Sequence, residues 1–199
     1  MHKINSFNQM KSSLLKNSLN FGAVSAVIII IVYLMAYIFL GESDSLLVKL
    51  ISFLINILII IWGTISFRDK VQHGQISYGK SMGSGVLISL SMAIIVSVYM
   101  FVFYKLIAPQ EIGKILSSAE EGFYNRGMSD DQVEMQMQVI TKFTTPITLA
   151  IGTVFSYTFW GVIFSLITSA FLKKSGESYQ QIMSEIEKDI KNENQNNNE

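Results

Sequence analysis

Apolar residues in this chain do not recur at helical or strand periods. They gather into long blocks almost free of charge, separated by short polar stretches. A helix that crosses a hydrocarbon core of about 30 Å needs roughly 20 mostly apolar residues. Four blocks reach that length, at 19–40, 46–67, 82–104 and 147–172. Lys49 is their only charged residue, and its long stem lets the ammonium reach toward the headgroups. The β-branched runs, such as Val27 to Val32 and Ile57 to Ile61, do not argue for strands, because they are too long and do not alternate. Each Leu, Ile, Phe or Val near a helix centre favours insertion by about 0.3–0.6 kcal/mol, which outweighs the few serines and threonines. The expected fold is therefore all-α: an integral membrane four-helix bundle with an external helical hairpin between spans 3 and 4. The first block exceeds the apolar core of a signal peptide and is read as an uncleaved anchor.

The connections refine this picture. Residues 41–45 force spans 1 and 2 into an antiparallel hairpin. In the loop before span 3, Gly74 and Gly79 suit turns, and Ser77 is placed to N-cap a short lead-in. Residues 105–146 read as two helices, the first opened by Pro109 near 110–125 and ended by Gly127. Ser129 and Gln132 form an S-x-x-Q capping box for the second, whose apolar face is Val133, Met137, Ile140 and Phe143 or Thr144. Residues 1–18 form an amphipathic arm with Ile4, Phe7, Met10 and Leu14 near one face, expected along the inner surface. The membrane domain covers 19–175. Residues 176–199 form a weaker cytoplasmic helical arm, with Tyr179, Ile182, Met183, Ile186 and Ile190, and a disordered Asn-rich tail.

Charge then orients the bundle. The two termini and the span 2–span 3 loop hold ten of the fifteen Lys and Arg residues, and the opposite side holds five. The positive-inside bias puts both termini in the cytoplasm and 105–146 outside. Tyr37, Phe39, Tyr99, Phe101, Phe103 and Tyr104 are expected at the outer interface. Net charge is zero, which gives no reason to expect a nucleic-acid partner. The absence of cysteine excludes disulfides, thiol catalysis and Cys-ligated metals, and two histidines cannot form a cluster. No cofactor or metal is expected.

Small residues mark where helices meet, because lipid offers no hydrophobic drive for helix association and close backbone approach matters instead. Span 3 carries a ridge at Ser81, Gly85, Ser89, Ala93 and Ser97, in steps of four. Span 4 carries Gly161, Ser165 and Ser169, plus Gly152 and Ser156, and span 1 has Gly22 and Ala26. Spans 3 and 4 should pack most closely. The ridge reads as a bundle interface, with a ligand groove or a homodimer seam as the competing reading.

Chemistry is sparse. No Asp, Glu, Arg or His lies within a span, which weighs against proton-coupled transport and intramembrane proteolysis. Asn56 is the strongest polar group at depth and is expected to hydrogen-bond a neighbouring helix; a substrate contact is the alternative. Nucleotide-binding, hydrolase, zinc-protease and EF-hand patterns are missing. Glu111, Glu120, Glu121, Asp130, Asp131 and Glu134 read as solvated helix faces, with weak divalent-cation binding as the other reading. Arg68, Asp69 and Lys70 lie where span 2 meets the cytoplasmic headgroups, where they fix topology or hold an anionic lipid or a partner.

That junction carries a resemblance. Phe67-Arg68-Asp69-Lys70 followed by Gly74-Gln75-Ile76-Ser77-Tyr78-Gly79-Lys80 resembles the span 2–span 3 junction of a bacterial membrane family catalogued as domain of unknown function 4199. Gly127-Met128-Ser129-Asp130-Asp131-Gln132 fits the family's long loop before span 4. The resemblance covers roughly 12–175, with His73 where many relatives have glycine. It implies four spans and a Gram-negative inner membrane, and it assigns no activity. The expectation is a non-enzymatic accessory or scaffold subunit acting through a partner, in the bilayer, either as a homo-oligomer or with another membrane protein. The alternative is a small oligomeric transporter or channel lined by Asn56 and the serine ridges.

Overall fold

A computed structural model describes residues 2–41, 46–72 and 74–173 with positions 184 and 186, and side chains from residue 12 onward. Every regular element among these residues is helical: α1 (His2–Leu40), α2 (Leu46–Val71), α3 (Tyr78–Val102), a π-helical turn (Phe103–Ile107), α4 (Gln110–Tyr124), α5 (Asp130–Phe143) and α6 (Pro146–Leu172). Four are long and apolar enough to cross a membrane: Ser12–Leu40, Leu46–Val71, Tyr78–Ile107 and Pro146–Leu172. The C-terminal arm beyond 173 lies outside the described residues apart from 184 and 186, as do 42–45 and His73.

Local chemistry sets the ends. Ser129 and Gln132 form the capping box of α5, with the Ser129 amide donating to Gln132 Oε1 at 3.1 Å. Thr145 caps α6 by accepting from the Thr148 amide at 3.3 Å, and Pro146 fills the first turn, where no N–H is needed. Gly127, at φ +78°, ends α4 in the left-handed region that a side chain disfavours.

Three features add to the sequence reading. The N-terminal arm is helical and continuous with span 1, because α1 runs unbroken from His2 to Leu40, about 58 Å at helical rise. The short lead-in to span 3 is continuous with it, since α3 begins at Tyr78 directly after Ser77. Ser77 occupies the N-cap position, but its side chain makes no capping bond. Span 3 ends in the π turn, where the Ala108 amide reaches the Phe103 carbonyl at 2.8 Å. Phe103, on the same helical face as buried Val96 and Met100, is 1% exposed and packs against Tyr37, Tyr99 and Tyr104. Phe103 is thus a packing residue rather than part of an exposed aromatic belt.

The bundle is built around α3, which packs on α1, α2 and α6, most extensively on α6; α1 also packs on α2, and the α2–α6 seam is the loosest of these packed span pairs. Gly22 lets α1 approach the α3 backbone: a Cβ there would stand 2.8 Å from the Ile88 carbonyl oxygen. The packed interior divides between Ala26, Ile29, Met92, Ala93 and Val96 toward the hairpin end and Ile59, Ile60 and Ile88 toward the terminal end.

Burial is inverted relative to a water-soluble domain. Ser18, Ser25, Ser52, Ser81, Ser84, Ser89, Ser165 and Ser169 are buried, while Leu54, Leu58, Trp62, Val98, Phe155, Phe159 and Phe171 are exposed. Large exposed apolar surface around a core of small hydroxyl residues is stable where lipid, not water, surrounds the bundle.

Candidate functional site

The small-residue rows meet along the α3–α6 seam. Ser81, Gly85, Ser89 and Ala93 of α3 and Gly161, Ser165 and Ser169 of α6 are all buried. A Cβ on Gly85 would stand 2.6 Å from Ser165 Oγ, and one on Gly161 would overlap the Ser89 side chain. Ser165 Oγ donates to the Met82 carbonyl at 2.7 Å. Ser97 leaves the row; it is half-buried, and its hydroxyl bonds back to the Ile94 carbonyl at 2.9 Å. Each four-residue step rotates about 40° around a helix, so a straight helix cannot keep five such positions on one line. Within one chain the seam is filled by its own two rows and holds no groove along Gly85 and Gly161.

Asn56 is wholly buried, yet neither its amide nitrogen nor its oxygen has a hydrogen-bond partner. The expected bond to a neighbouring helix is not made. The polar bridges between spans lie elsewhere: Asn17 Nδ2 donates to the Gly63 carbonyl at 3.0 Å, Ser25 Oγ to Met92 Sδ at 3.1 Å, and the Tyr33 and Tyr157 hydroxyls stand 3.4 Å apart.

At the terminal end, Arg68, Asp69 and Lys70 occupy the last turn of α2. Arg68 is held by its own neighbour, with Nε to Asp69 Oδ1 at 2.7 Å. Lys70 is exposed, and Lys80 Nζ donates to Gln72 Oε1 at 2.8 Å. The glycine of the junction motif has a structural role: Gly74, at φ +83°, returns its amide to the Arg68 carbonyl at 3.0 Å, and Ile76 then plugs the bundle at 1% exposure.

At the other end, α4 is tied to the end of α1. Gln110 Nε2 donates to the Tyr37 hydroxyl at 2.8 Å and Lys114 Nζ to the Gly41 carbonyl at 3.1 Å. Lys114 also pairs with Glu111 at 2.7 Å, and the carboxylate is buried there. A cation at the carbonyl end of α1 is favoured by the helix dipole. Glu120, Glu121, Asp130, Asp131 and Glu134 are exposed. Among the described residues no group of three or more His, Cys, Asp or Glu is placed to hold a metal ion.

A cavity enters the bundle from the hairpin end at the loose α2–α6 seam. It has a volume of about 480 Å³. Lys49 and Tyr104 line it with Phe143 and Thr148, and Tyr33, Ser52, Met100 and Tyr157 line it further along the spans. Gly152, Thr153 and Ser156 form its α6 wall, and a Cβ on Gly152 would meet nothing within 4 Å. The second small-residue row of span 4 therefore opens a groove instead of joining the seam. Toward the terminal end, Phe53, Trp160 and Phe164 interlock across α2 and α6, with Phe53–Trp160 ring centroids 5.5 Å apart, and close the seam. The sequence signal for this pocket was the lone span charge, Lys49, one helical turn before Ser52.

The family model described as "Protein of unknown function (DUF4199)" matches residues 20–174. No curated protein and no solved structure matches the chain.

Proposed function

This chain belongs to the DUF4199 family of proteins of unknown function, and we propose that it is a non-enzymatic, multi-pass protein of a bacterial inner membrane, an accessory or scaffold subunit acting through a partner. Both termini face the cytoplasm in this reading, and the α4–α5 hairpin faces outward. The observation that carries it is the uncovered side of α5. Val133 is buried, and Met137 and Ile140 are half-covered. Met135, Val139 and Phe143, four residues apart, are 62%, 53% and 66% exposed. An amphipathic helix uses one apolar stripe to hold to its own fold. A second stripe on the outer leg of a hairpin, which is held to the spans through α4, supports a contact with another membrane protein.

A photo-crosslinking residue at Met135 or Val139, introduced in cells, tests this reading. The expected product is a discrete adduct with a second protein, absent when the probe stands at exposed Glu134. Adducts with lipid alone overturn the reading, and an adduct at twice the chain mass makes the partner a second copy.

The transporter alternative needs a path between copies. Asn56 is enclosed, and the serine rows fill each other within one chain.

A further inference from the structure

We propose that the pocket at the α2–α6 seam binds a membrane lipid with an anionic phosphate headgroup, one acyl chain lying in the groove and the headgroup at Lys49. The inference rests on α1, α2, α3 and α6 crossing a bilayer, and otherwise stands apart from the partner reading of α5.

Depth is the first argument. From Thr148 to Tyr157 the groove follows α6 for nine residues, about 13 Å, or nearly half of a hydrocarbon core about 30 Å thick. It thus runs from one interface to about mid-bilayer, which is the reach of a lipid in a single leaflet. A volume of about 480 Å³ falls in the range of small-molecule sites.

Chemistry changes along that depth as it does along a lipid. Lys49, in the first turn of α2, supplies a cation at the headgroup level beside the Thr148 and Tyr104 hydroxyls. Phe53, Met100 and Leu149 supply the apolar wall. Buried Ser52 and Tyr157 line the groove farther along the spans. The open side is built by Gly152 and Ser156, both exposed, so a chain can enter laterally without displacing a span.

Lys49 argues for an anionic occupant. A basic residue near the membrane surface attracts an anionic headgroup by an amount equivalent to about a fivefold preference. A zwitterionic lipid would gain less from the same position.

The test is native mass spectrometry of the full chain, exchanged into detergent containing equal phosphatidylglycerol and phosphatidylcholine of the same chain length. Wild type is expected to retain one lipid with phosphatidylglycerol preferred. Lys49→Gln should lower that preference about fivefold. Gly152→Phe and, separately, Ser156→Phe should lose both lipids, since each fills the groove from an exposed position. Ile151→Phe, on the neighbouring exposed position, should retain them and guards against loss through misfolding. Arg68→Ala/Lys70→Ala, at the opposite end, should leave retention unchanged. Equal retention of the two lipids by wild type, undiminished retention in both groove-filling variants, or an unchanged preference in Lys49→Gln overturns the proposal.

Discussion

Gly161 of α6 lies against Ser89 of α3 so closely that a Cβ at position 161 would overlap the serine's own Cβ. The closest approach of the bundle therefore depends on an absent side chain. Gly161→Leu and Gly85→Leu should each cost at least the ~1–3 kcal/mol of an overpacked core, because backbone and not only rotamers must move. Ile94→Leu should change stability by less than about 0.5 kcal/mol, since 94 is exposed, and Gly152→Ala should be neutral or stabilising by up to about 1 kcal/mol, since 152 faces open space within a helix. Unfolding of each variant in mixed micelles measures this. Similar losses at all four positions would mean that the seam is not the close contact described.

Asn56 leads to a different expectation. A buried amide without partners carries a desolvation cost of about 1–3 kcal/mol. Asn56→Leu should therefore be neutral or stabilising in the isolated chain, by up to ~2 kcal/mol after allowing for the larger side chain. A loss above about 1 kcal/mol in the same unfolding assay would show that the amide is engaged, by a ligand or by a second copy.

The hairpin should loosen from two places. Ser129→Ala removes the capping box and should weaken α5 by about 1 kcal/mol, visible as faster amide exchange over its first turn. Lys114→Ala removes the bond to the Gly41 carbonyl and the charge beside buried Glu111. Leaving that carboxylate unpaired should speed exchange throughout α4, while α3 and α6 stay protected. Unchanged α4 exchange would show that Gln110 and Tyr37 hold the hairpin alone.

Orientation follows from summed charge near the span ends. Alkaline phosphatase fused at residue 125 should be active, and fusions at 10 and 190 inactive. Arg68→Ala/Lys70→Ala removes two of ten inner charges and should leave that pattern intact, because orientation depends on the sum rather than on this cluster. An inactive fusion at 125 in the wild type would reverse the assignment.

Much of the fold was legible one residue at a time. Span positions come from length and hydropathy, which need no neighbours. The turn at Gly127, the Ser129–Gln132 box and the Pro146 start are local backbone chemistry and were readable for the same reason. The row Gly161, Ser165, Ser169 was legible because close approach between helices in lipid selects small residues four apart.

Facing was not legible. A helix that is apolar all round has no polar stripe to reveal its rotation about its own axis. The sequence therefore offered two small-residue rows on span 4 without distinguishing them. Only the packed structure turned Gly161 into the α3 seam and Gly152 toward open space. Rotation likewise enclosed Asn56 without a partner, turned Phe103 into the packed interior, and set Lys49 on the wall of a pocket shared with Tyr33 and Tyr157. Membership of the bundle is determined within each segment, by its own transfer free energy into lipid. A pocket, a seam or an unsatisfied amide is a relation between segments, and it exists only once their rotations are chosen together.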